Sequence, residues 1–205
     1  MRSDSEYAYQ YDVATDIYCY PNSNILINKF NIRNQTDLAV AERQITALKI
    51  AELEKHPLKG RYNLKHIQAI HKFIFSDIYE WAGQVRGGDF LSKGTSIFCR
   101  AMHIESYADE IYDKLRHDNF LKGLKKPEFI TKLAYYMGEL NALHPFREGN
   151  GRVARLYFKQ LCNNASYDLE FHKTRKDTLL DADIRAFNRE YELLIQVLGE
   201  IVSYK

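Results

Sequence analysis

Residues 144–155 have the sequence His-Pro-Phe-Arg-Glu-Gly-Asn-Gly-Arg-Val-Ala-Arg, which places one imidazole, one carboxylate, one amide and three guanidinium groups in twelve residues. Pro145 lacks an amide hydrogen and disfavours helical geometry at the residue before it. Gly149 and Gly151 permit backbone conformations that other residues resist. Apolar helix formers stand on both sides, so the pattern predicts a helix, a tight loop, and a second helix that begins at the glycines.

The start of this second helix has the properties of an anion site, because free N–H groups and the positive end of the helix dipole meet there. Arg152 and Arg155 are three residues apart, so both can extend from one face, and guanidinium donors match phosphate oxygens. Glu148 places a hard oxygen ligand beside this site, as a Mg²⁺ ion that bridges phosphates requires. His144 can accept a proton near neutral pH.

Each of these features has an ordinary explanation when it stands alone, since Gly-Asn-Gly is usually a turn and spaced arginines are usually a solvated helix face. The combination is more specific. It resembles the signature of the Fic (filamentation induced by cAMP) family, His-x-Phe-x-Asp/Glu-Gly-Asn-Gly-Arg-x-x-Arg, and every fixed position of that signature is met. The resemblance implies a protein adenylyltransferase that moves AMP from ATP to a Tyr, Thr or Ser hydroxyl of a target protein.

The resemblance also implies a role for each residue of the motif. His144 would take the proton from the target hydroxyl, and Glu148 would anchor Mg²⁺ between the α- and β-phosphates. ATP would bind through the loop and the helix that follows it, at Gly149, Asn150, Gly151, Arg152 and Arg155. Within that set, Asn150 and backbone amides would hold the α-phosphate, whereas Arg152 and Arg155 would hold the β- and γ-phosphates.

Length and composition are those of a globular protein. The 205 residues suit one domain, 45% of them are hydrophobic, 27% are charged, and the formal net charge is +2. This balance argues against direct nucleic-acid binding and against a membrane-surface protein. Cys19, Cys99 and Cys162 lack metal-ligand spacing and are predicted to be free thiols in a reducing cytoplasm. A signal peptide and a long apolar run are both missing from the sequence, so we predict no membrane association.

Hydrophobic spacing predicts an all-α fold. Helices are expected over residues 36–55 with Thr36 as N-cap, after Asn63, and over residues 24–30, 103–116, 129–143, 153–161 and 183–204, with 129–143 as the buried central helix. His66 and His71 are five residues apart, which makes a metal pair improbable and favours packed or surface histidines. Residues 1–31 are predicted to form an arm packed on the core, and the resemblance implies a single Fic domain over residues 32–205.

One segment interrupts the helical pattern. Short runs of β-forming residues flank Ser92-Lys93-Gly94-Thr95 and predict a β-hairpin. By itself this is an ordinary surface hairpin. The resemblance implies that it is the flap that covers the active site, with an exposed edge that holds the target by strand addition. The residues expected to dock the target are Lys93, Gly94, Thr95 and Phe98.

Fic proteins are commonly silenced by a helix that carries Ser/Thr-x-x-x-Glu-Gly/Asn, whose glutamate pairs with the second arginine of the motif, here Arg155. Glu148 is the only glutamate followed by Gly or Asn, and His144 stands four residues before it. We therefore predict control in trans by a small antitoxin-like protein. The resemblance to stand-alone bacterial toxins suggests type II topoisomerase subunits as targets.

Other functions stay open on sequence grounds. Some Fic relatives transfer UMP, phosphocholine or phosphate, or remove AMP, and a related branch consists of effectors secreted into host cells. The chain could also be a nucleotide-binding module without chemistry, or a purely structural helical protein. The intact His144 argues against the module without chemistry, and failure to bind any nucleotide with Mg²⁺ would favour the structural protein.

Overall fold

The computed structural model describes residues 9–11, 17–88, 91–93 and 96–205. Within these ranges the chain forms α-helices α1 (Gln35–Lys55), α2 (Leu64–Phe75), α3 (Ile104–His117), α4 (Lys126–Leu143), α5 (Asn150–Asn164), α6 (Lys176–Phe187) and α7 (Glu192–Ile201). The expected all-α fold is confirmed. Two small antiparallel sheets accompany the helices in this described part of the chain.

The first sheet contains β1 (Tyr9–Tyr11), β2 (Leu91–Lys93) and β3 (Ser96–Ile97) in the order β1-β2-β3. The predicted hairpin is therefore confirmed as β2 and β3, and β1 is a third strand that the sequence did not indicate. In the second sheet β4 (Tyr167–Leu169) pairs with β5 (Val202–Tyr204). The expectation of a single hairpin as the only β-structure is wrong for this reason.

Helix α4 lies at the centre and packs against α3, α5, α6 and α7. Because it has neighbours on all sides, it buries apolar residues around its whole circumference, among them Phe129, Leu133, Ala134 and Leu143, each at 0% exposure. The prediction of a buried central helix is confirmed. The helix starts three residues earlier than expected, with Pro127 in its first turn, where a missing N–H costs little.

The cap of α2 is as predicted, whereas the cap of α1 is not. Asn63 accepts a hydrogen bond from the backbone N–H of His66 and begins α2. For α1 the cap is Asn34, whose side-chain oxygen accepts from the N–H groups of Thr36 and Asp37. Thr36 lies inside the helix. Asparagine is at least as good a cap as threonine, so Asn34 takes the role.

The helix predicted over residues 24–30 is absent. Leu26 instead forms an antiparallel bridge with Cys19. The Asn28 amide donates to the carbonyl oxygens of Leu26 and Ile32 and accepts from the N–H groups of Phe30 and Ile32. A side chain that satisfies four backbone groups in a non-helical conformation outcompetes a short helix.

The single helix predicted over residues 183–204 is also wrong. Helix α6 ends at Phe187 with Asn188 as its C-cap, and Arg189 has a left-handed backbone with φ of 66°, so the chain turns before α7 begins. Residues 202–204 then leave the helix as β5, because pairing with β4 satisfies the backbone groups of both strands. Among the described residues, no helix combines the length and the apolar character needed to cross a bilayer.

Candidate active site

The loop between α4 and α5 contains two left-handed residues that set its shape. His144 caps α4 with φ of 44°, and Gly149 caps the start of α5 with φ of 82°. A Cβ atom at Gly149 would lie 2.3 Å from the Phe75 ring, so glycine is required by contact as well as by backbone conformation. The helix–loop–helix that the sequence predicts is confirmed, with α5 beginning at Asn150.

Asn150 holds the loop closed. Its side chain is buried, its amide nitrogen donates to the carbonyl oxygen of Phe146 over 2.7 Å, and its oxygen accepts from the N–H of Phe146 over 2.9 Å. Both polar atoms of this side chain are thus occupied by the loop itself. The backbone N–H groups of the first turn of α5 have no partner within the helix and remain the natural donors for an anion.

A cavity lies where α4, α5 and α6 meet. Polar side chains and one glycine line part of it: Asn141, His144, Asn150, Gly151, Arg155 and Asp183. The rest of the wall is apolar and includes Ile67, Met137, Leu140 and Phe158. An anion-binding helix start beside an apolar chamber matches the two halves of a nucleotide, its phosphates and its base.

His144 is held in one orientation in this cavity. Its side chain stacks on Phe98, with ring centroids 3.7 Å apart, and its Nδ1 lies 3.2 Å from the carbonyl oxygen of Asn141. Because a carbonyl oxygen only accepts, Nδ1 carries the proton in this bond, and the lone pair belongs to Nε2. The Arg86 side chain donates to the His144 carbonyl oxygen over 2.9 Å and holds the backbone as well.

The two arginines of the motif face different neighbours. Arg155 lines the cavity, where its Nε donates to the Gly151 carbonyl oxygen over 3.3 Å. Arg152 does not line it and points towards α1, where it donates to Glu42 over 2.7 Å and to Thr46 over 3.3 Å. It also donates to Glu148 of the loop over 3.3 Å. This arrangement differs from the expected one, in which both arginines extend from one face towards phosphates.

Two residues that the sequence did not single out belong to the site. Asp183 of α6 lines the cavity near Arg155, and burial raises its pKa to about 6, an effect that the arginine partly offsets. Glu42 of α1 pairs with Arg152. Neither residue has a sequence signal, since each is one acidic residue in a helix outside the motif.

His71 is packed, as expected, and has a further role that the sequence did not reveal. Its ring lies between Phe75 and Phe146, its Nε2 donates to the Glu148 carbonyl oxygen at 3.0 Å, and its Nδ1 accepts from the N–H of Gly83 at 2.8 Å. Burial lowers the pKa of His71 to about 4, so the ring is neutral and one tautomer satisfies both bonds.

Glu148 is the acidic residue of the motif, and its carboxylate accepts hydrogen bonds from the described residues on one oxygen only. Oε1 accepts from its neighbour Gly149 over 2.8 Å and from Arg152 over 3.3 Å, and no described residue donates to Oε2. One carboxylate oxygen together with phosphate oxygens and water is a normal ligand set for Mg²⁺. The donor chemistry at Glu148 therefore fits this cation. Among the described residues, no group of three or more His, Cys, Asp or Glu side chains forms a metal site by itself.

The hairpin is only partly described. Gly94 and Thr95, two of the predicted docking residues, lie outside the described residues, and Lys93 is described as the last residue of β2. Phe98 is buried against His144 and so connects the hairpin with the cavity. The expectation of an exposed edge needs revision for β2, because β1 pairs with one side of this strand and β3 with the other. An open strand edge favours such pairing.

Comparison with known proteins supports the family that the motif indicates. A sequence model of the Fic/DOC family matches residues 61–162. The chain is 36% identical over 185 residues to the protein adenylyltransferase VbhT of Bartonella schoenbuchensis, covering 90% of this chain and 38% of that protein. It is 35% identical over 188 residues to the probable protein adenylyltransferase Fic of Escherichia coli, covering 92% of both chains.

Solved structures of Fic domains are also similar to this chain. The ADP-bound N-terminal Fic domain of a putative cell filamentation protein from Bartonella quintana superposes with a TM-score of 0.85 at 27% identity, covering 92% of this chain and 95% of that one. The Fic domain of Bep8 from Bartonella sp. 1-1C gives a TM-score of 0.84 at 26% identity, covering 90% of this chain and 93% of that one.

Proposed function

We propose that this chain, which belongs to the Fic/DOC family and is a protein adenylyltransferase, transfers AMP from ATP to a Tyr, Thr or Ser hydroxyl of a target protein. The observation that carries the proposal is that His144, Arg155 and the first turn of α5 line one cavity. A proton acceptor, a phosphate clamp and an anion-binding helix start then act on the same phosphate chain.

ATP binds with its phosphates at the start of α5. The N–H groups of Gly151 and its neighbours hold the α-phosphate, and Arg155 holds the outer phosphates through charge-assisted hydrogen bonds. The side chain of Asn150 shapes this loop through its two bonds to Phe146, so its contribution to phosphate binding is indirect. We assign the adenine ring to the apolar part of the cavity near Met137 and Phe158.

The reaction is a displacement at the α-phosphorus. The target hydroxyl gives its proton to Nε2 of His144 and its oxygen bonds to phosphorus, while the bond between the α-phosphorus and the bridging oxygen breaks and pyrophosphate leaves. The Asn141 carbonyl keeps the proton on Nδ1, so Nε2 is the ring nitrogen that carries the basic lone pair. The protein otherwise contributes position and charge, as in other phosphoryl transfers.

Glu148 is the residue that would hold Mg²⁺, through the oxygen that accepts no hydrogen bond from the described residues. When bound, Mg²⁺ neutralises charge on the phosphates. The role of this chain is to present one oriented carboxylate beside the phosphate site. The bond from the Gly149 N–H and the contact with Arg152 give Glu148 that orientation.

Target recognition is assigned to the hairpin, which would hold an extended segment of the target by strand addition. Phe98, packed on His144, brings that hairpin next to the reacting group. Lys93, Gly94 and Thr95 are the further residues proposed for docking. Because β1 already pairs with β2, a target strand must displace β1 or add to β3.

We further propose that residues 32–205 are the Fic domain and residues 1–31 an arm packed upon it. The arm's Tyr18 supports this division, since it packs on Trp81 and accepts a hydrogen bond from the N–H of Gly87. The protein would act in the cytoplasm as a bacterial toxin, with type II topoisomerase subunits as candidate targets and an antitoxin-like partner as inhibitor. Secretion into a host cell is the alternative setting.

Transfer of labelled AMP to proteins of a bacterial lysate, analysed by gel and mass spectrometry, tests the proposal. His144→Ala is expected to lower transfer by about 10²–10⁴, the usual loss for a positioned base, while ATP binding measured by calorimetry stays nearly unchanged. His117→Ala is the matched control, because His117 is an exposed histidine outside the cavity. ATP binding without any transfer by the unsubstituted protein would indicate a nucleotide-binding module instead.

A further inference from the structure

Arg152 is held away from the cavity by a network of polar groups of α1 and of the loop and by an aromatic ring of α2. Its guanidinium donates to Glu42 and Thr46 of α1 and to Glu148 of the loop, and its Cζ lies 4.7 Å from the centroid of the Phe75 ring. A planar guanidinium that stacks on a ring and spans two carboxylates is in the geometry that this group prefers. The arrangement assigns Arg152 partners within the protein rather than a phosphate.

Glu42 is the fixed point of this network. Its side chain is only 14% exposed, and both of its oxygens are used: Oε1 accepts from Arg152 over 2.7 Å, and Oε2 accepts from the Tyr79 hydroxyl. Burial and the neighbouring Glu42 raise the pKa of Tyr79 far above its ordinary value, so the hydroxyl stays a donor. A largely buried carboxylate that accepts a hydrogen bond at both oxygens cannot reorient without loss of a strong bond.

The contact between Arg152 and Glu42 also affects Glu148. The same NH2 nitrogen of Arg152 lies 2.7 Å from Glu42 and 3.3 Å from Glu148, so the stronger contact is with Glu42. Without Glu42, the whole guanidinium charge would turn to Glu148 and occupy the carboxylate with two donors. That pairing would compete directly with a divalent cation for the same oxygens.

We infer that Glu42 is a positioning residue, which draws Arg152 towards α1 and thereby keeps one oxygen of Glu148 available for a divalent cation. This inference rests on the proposed function only for the identity of the reaction. A divalent cation is inferred from the chemistry of the donors, since one hard carboxylate oxygen lies beside an anion-binding helix start. Residues that orient a metal ligand typically change metal affinity by about 10- to 100-fold when they are replaced.

The experiment compares Glu42→Gln with Glu54→Gln. Glu54 is also on α1 and forms an ion pair with Lys159 of α5, so its replacement removes another link between the same two helices away from the loop. Two quantities are measured on each full-length variant in the presence of ATP: the Mn²⁺ affinity by electron paramagnetic resonance, and the Mg²⁺ concentration that gives half-maximal transfer. Glu42→Gln is expected to weaken both by about tenfold, whereas Glu54→Gln leaves both unchanged.

A double-mutant cycle separates positioning from general loosening of α1. If Glu42 acts through Arg152, then Glu42→Gln added to Arg152→Gln produces little further change in Mn²⁺ affinity, because the competing guanidinium is already gone. Equal Mn²⁺ affinities for Glu42→Gln and Glu54→Gln, or independent effects in the cycle, overturn the inference. Failure of the proposed function appears differently, as no transfer by the unsubstituted protein although the Mn²⁺ affinities differ as expected.

Discussion

The loop between α4 and α5 and the β2–β3 hairpin border the same histidine, and they are built by different means. The loop has its backbone groups satisfied by side chains from several elements, including Asn150, His71 and Arg86. The hairpin depends on short backbone pairings, three residues between β1 and β2 and two between β2 and β3. The conformation of the loop thus depends on particular side chains at particular positions. The backbone pairings of the hairpin, in contrast, can form with any extended strand.

This difference matches the two tasks of the site. Phosphate chemistry needs donors and acceptors that are in place before ATP binds, since reorganisation during the reaction adds to the barrier. Target binding needs a surface on which one strand can replace another. Changes to the loop should therefore have large effects on stability and binding, and changes to the hairpin edge should have small effects on stability and a measurable effect on target modification.

Gly149→Ala is expected to produce the largest loss of stability. The backbone strain of alanine at a φ of 82° and the clash of its Cβ with Phe75 should both lower stability. Together they should cost about 2–4 kcal/mol in the free energy of unfolding measured with urea. ATP binding measured by calorimetry should fall with it. Gly123→Ala is the matched control, because Gly123 has a φ of 78° with open space around it and should lose only about 1 kcal/mol. Equal losses for the two variants would show that the Phe75 contact is unimportant.

His71 makes the loop sensitive to acid. Its pKa is about 4 in the folded protein against 6.5 in the unfolded chain, so the unfolded chain binds the proton more readily. The stabilisation is complete above pH 6.5 and disappears as the pH falls towards 4. Between pH 7 and pH 5 this residue should account for a loss of about 2 kcal/mol.

Urea unfolding of His71→Gln at both pH values isolates this contribution, with His117→Gln as the exposed control. The drop in stability between pH 7 and pH 5 should be smaller in His71→Gln by about the amount given above. Asp183 titrates in the opposite sense, because burial raises its pKa to about 6, and it contributes equally to both variants. An unchanged drop in His71→Gln would contradict the assignment of a neutral, doubly bonded imidazole.

The smallest effect is expected at the edge of the hairpin. A chain that begins at Ile17 lacks β1, and it should lose less than about 1 kcal/mol in stability because only three residues pair with β2. Modification of a target that docks by strand addition should rise roughly two- to fivefold, since the edge is then always available. Gln10→Pro should act in the same direction through the backbone, with Gln10→Ala as control. Lower modification in both altered chains would mean that β1 is part of the docking platform.

Much of the site could be predicted from the sequence because its elements are local. The glycines, Pro145 and the apolar flanks of the motif predict helix, loop and helix, and Asn63 predicts the start of α2. The errors occurred where a side chain or a distant strand satisfied the backbone instead. Around Asn28, hydrogen bonds from its side chain to the backbone stabilise a turn where a helix was predicted. The last helix ends earlier than predicted because β5 pairs with β4.

The sequence by itself determined the family, the helical fold, the histidine beside the anion site and the position of the hairpin, because these depend on spacing along the chain. Only the tertiary structure decided the partners. Arg152 and Arg155 are about 60° apart around α5, yet one meets Glu42 of α1 and the other lines the cavity with Asp183 of α6. Spacing specifies the faces of a helix relative to one another. The charge that each long side chain meets depends on which helix packs against that face.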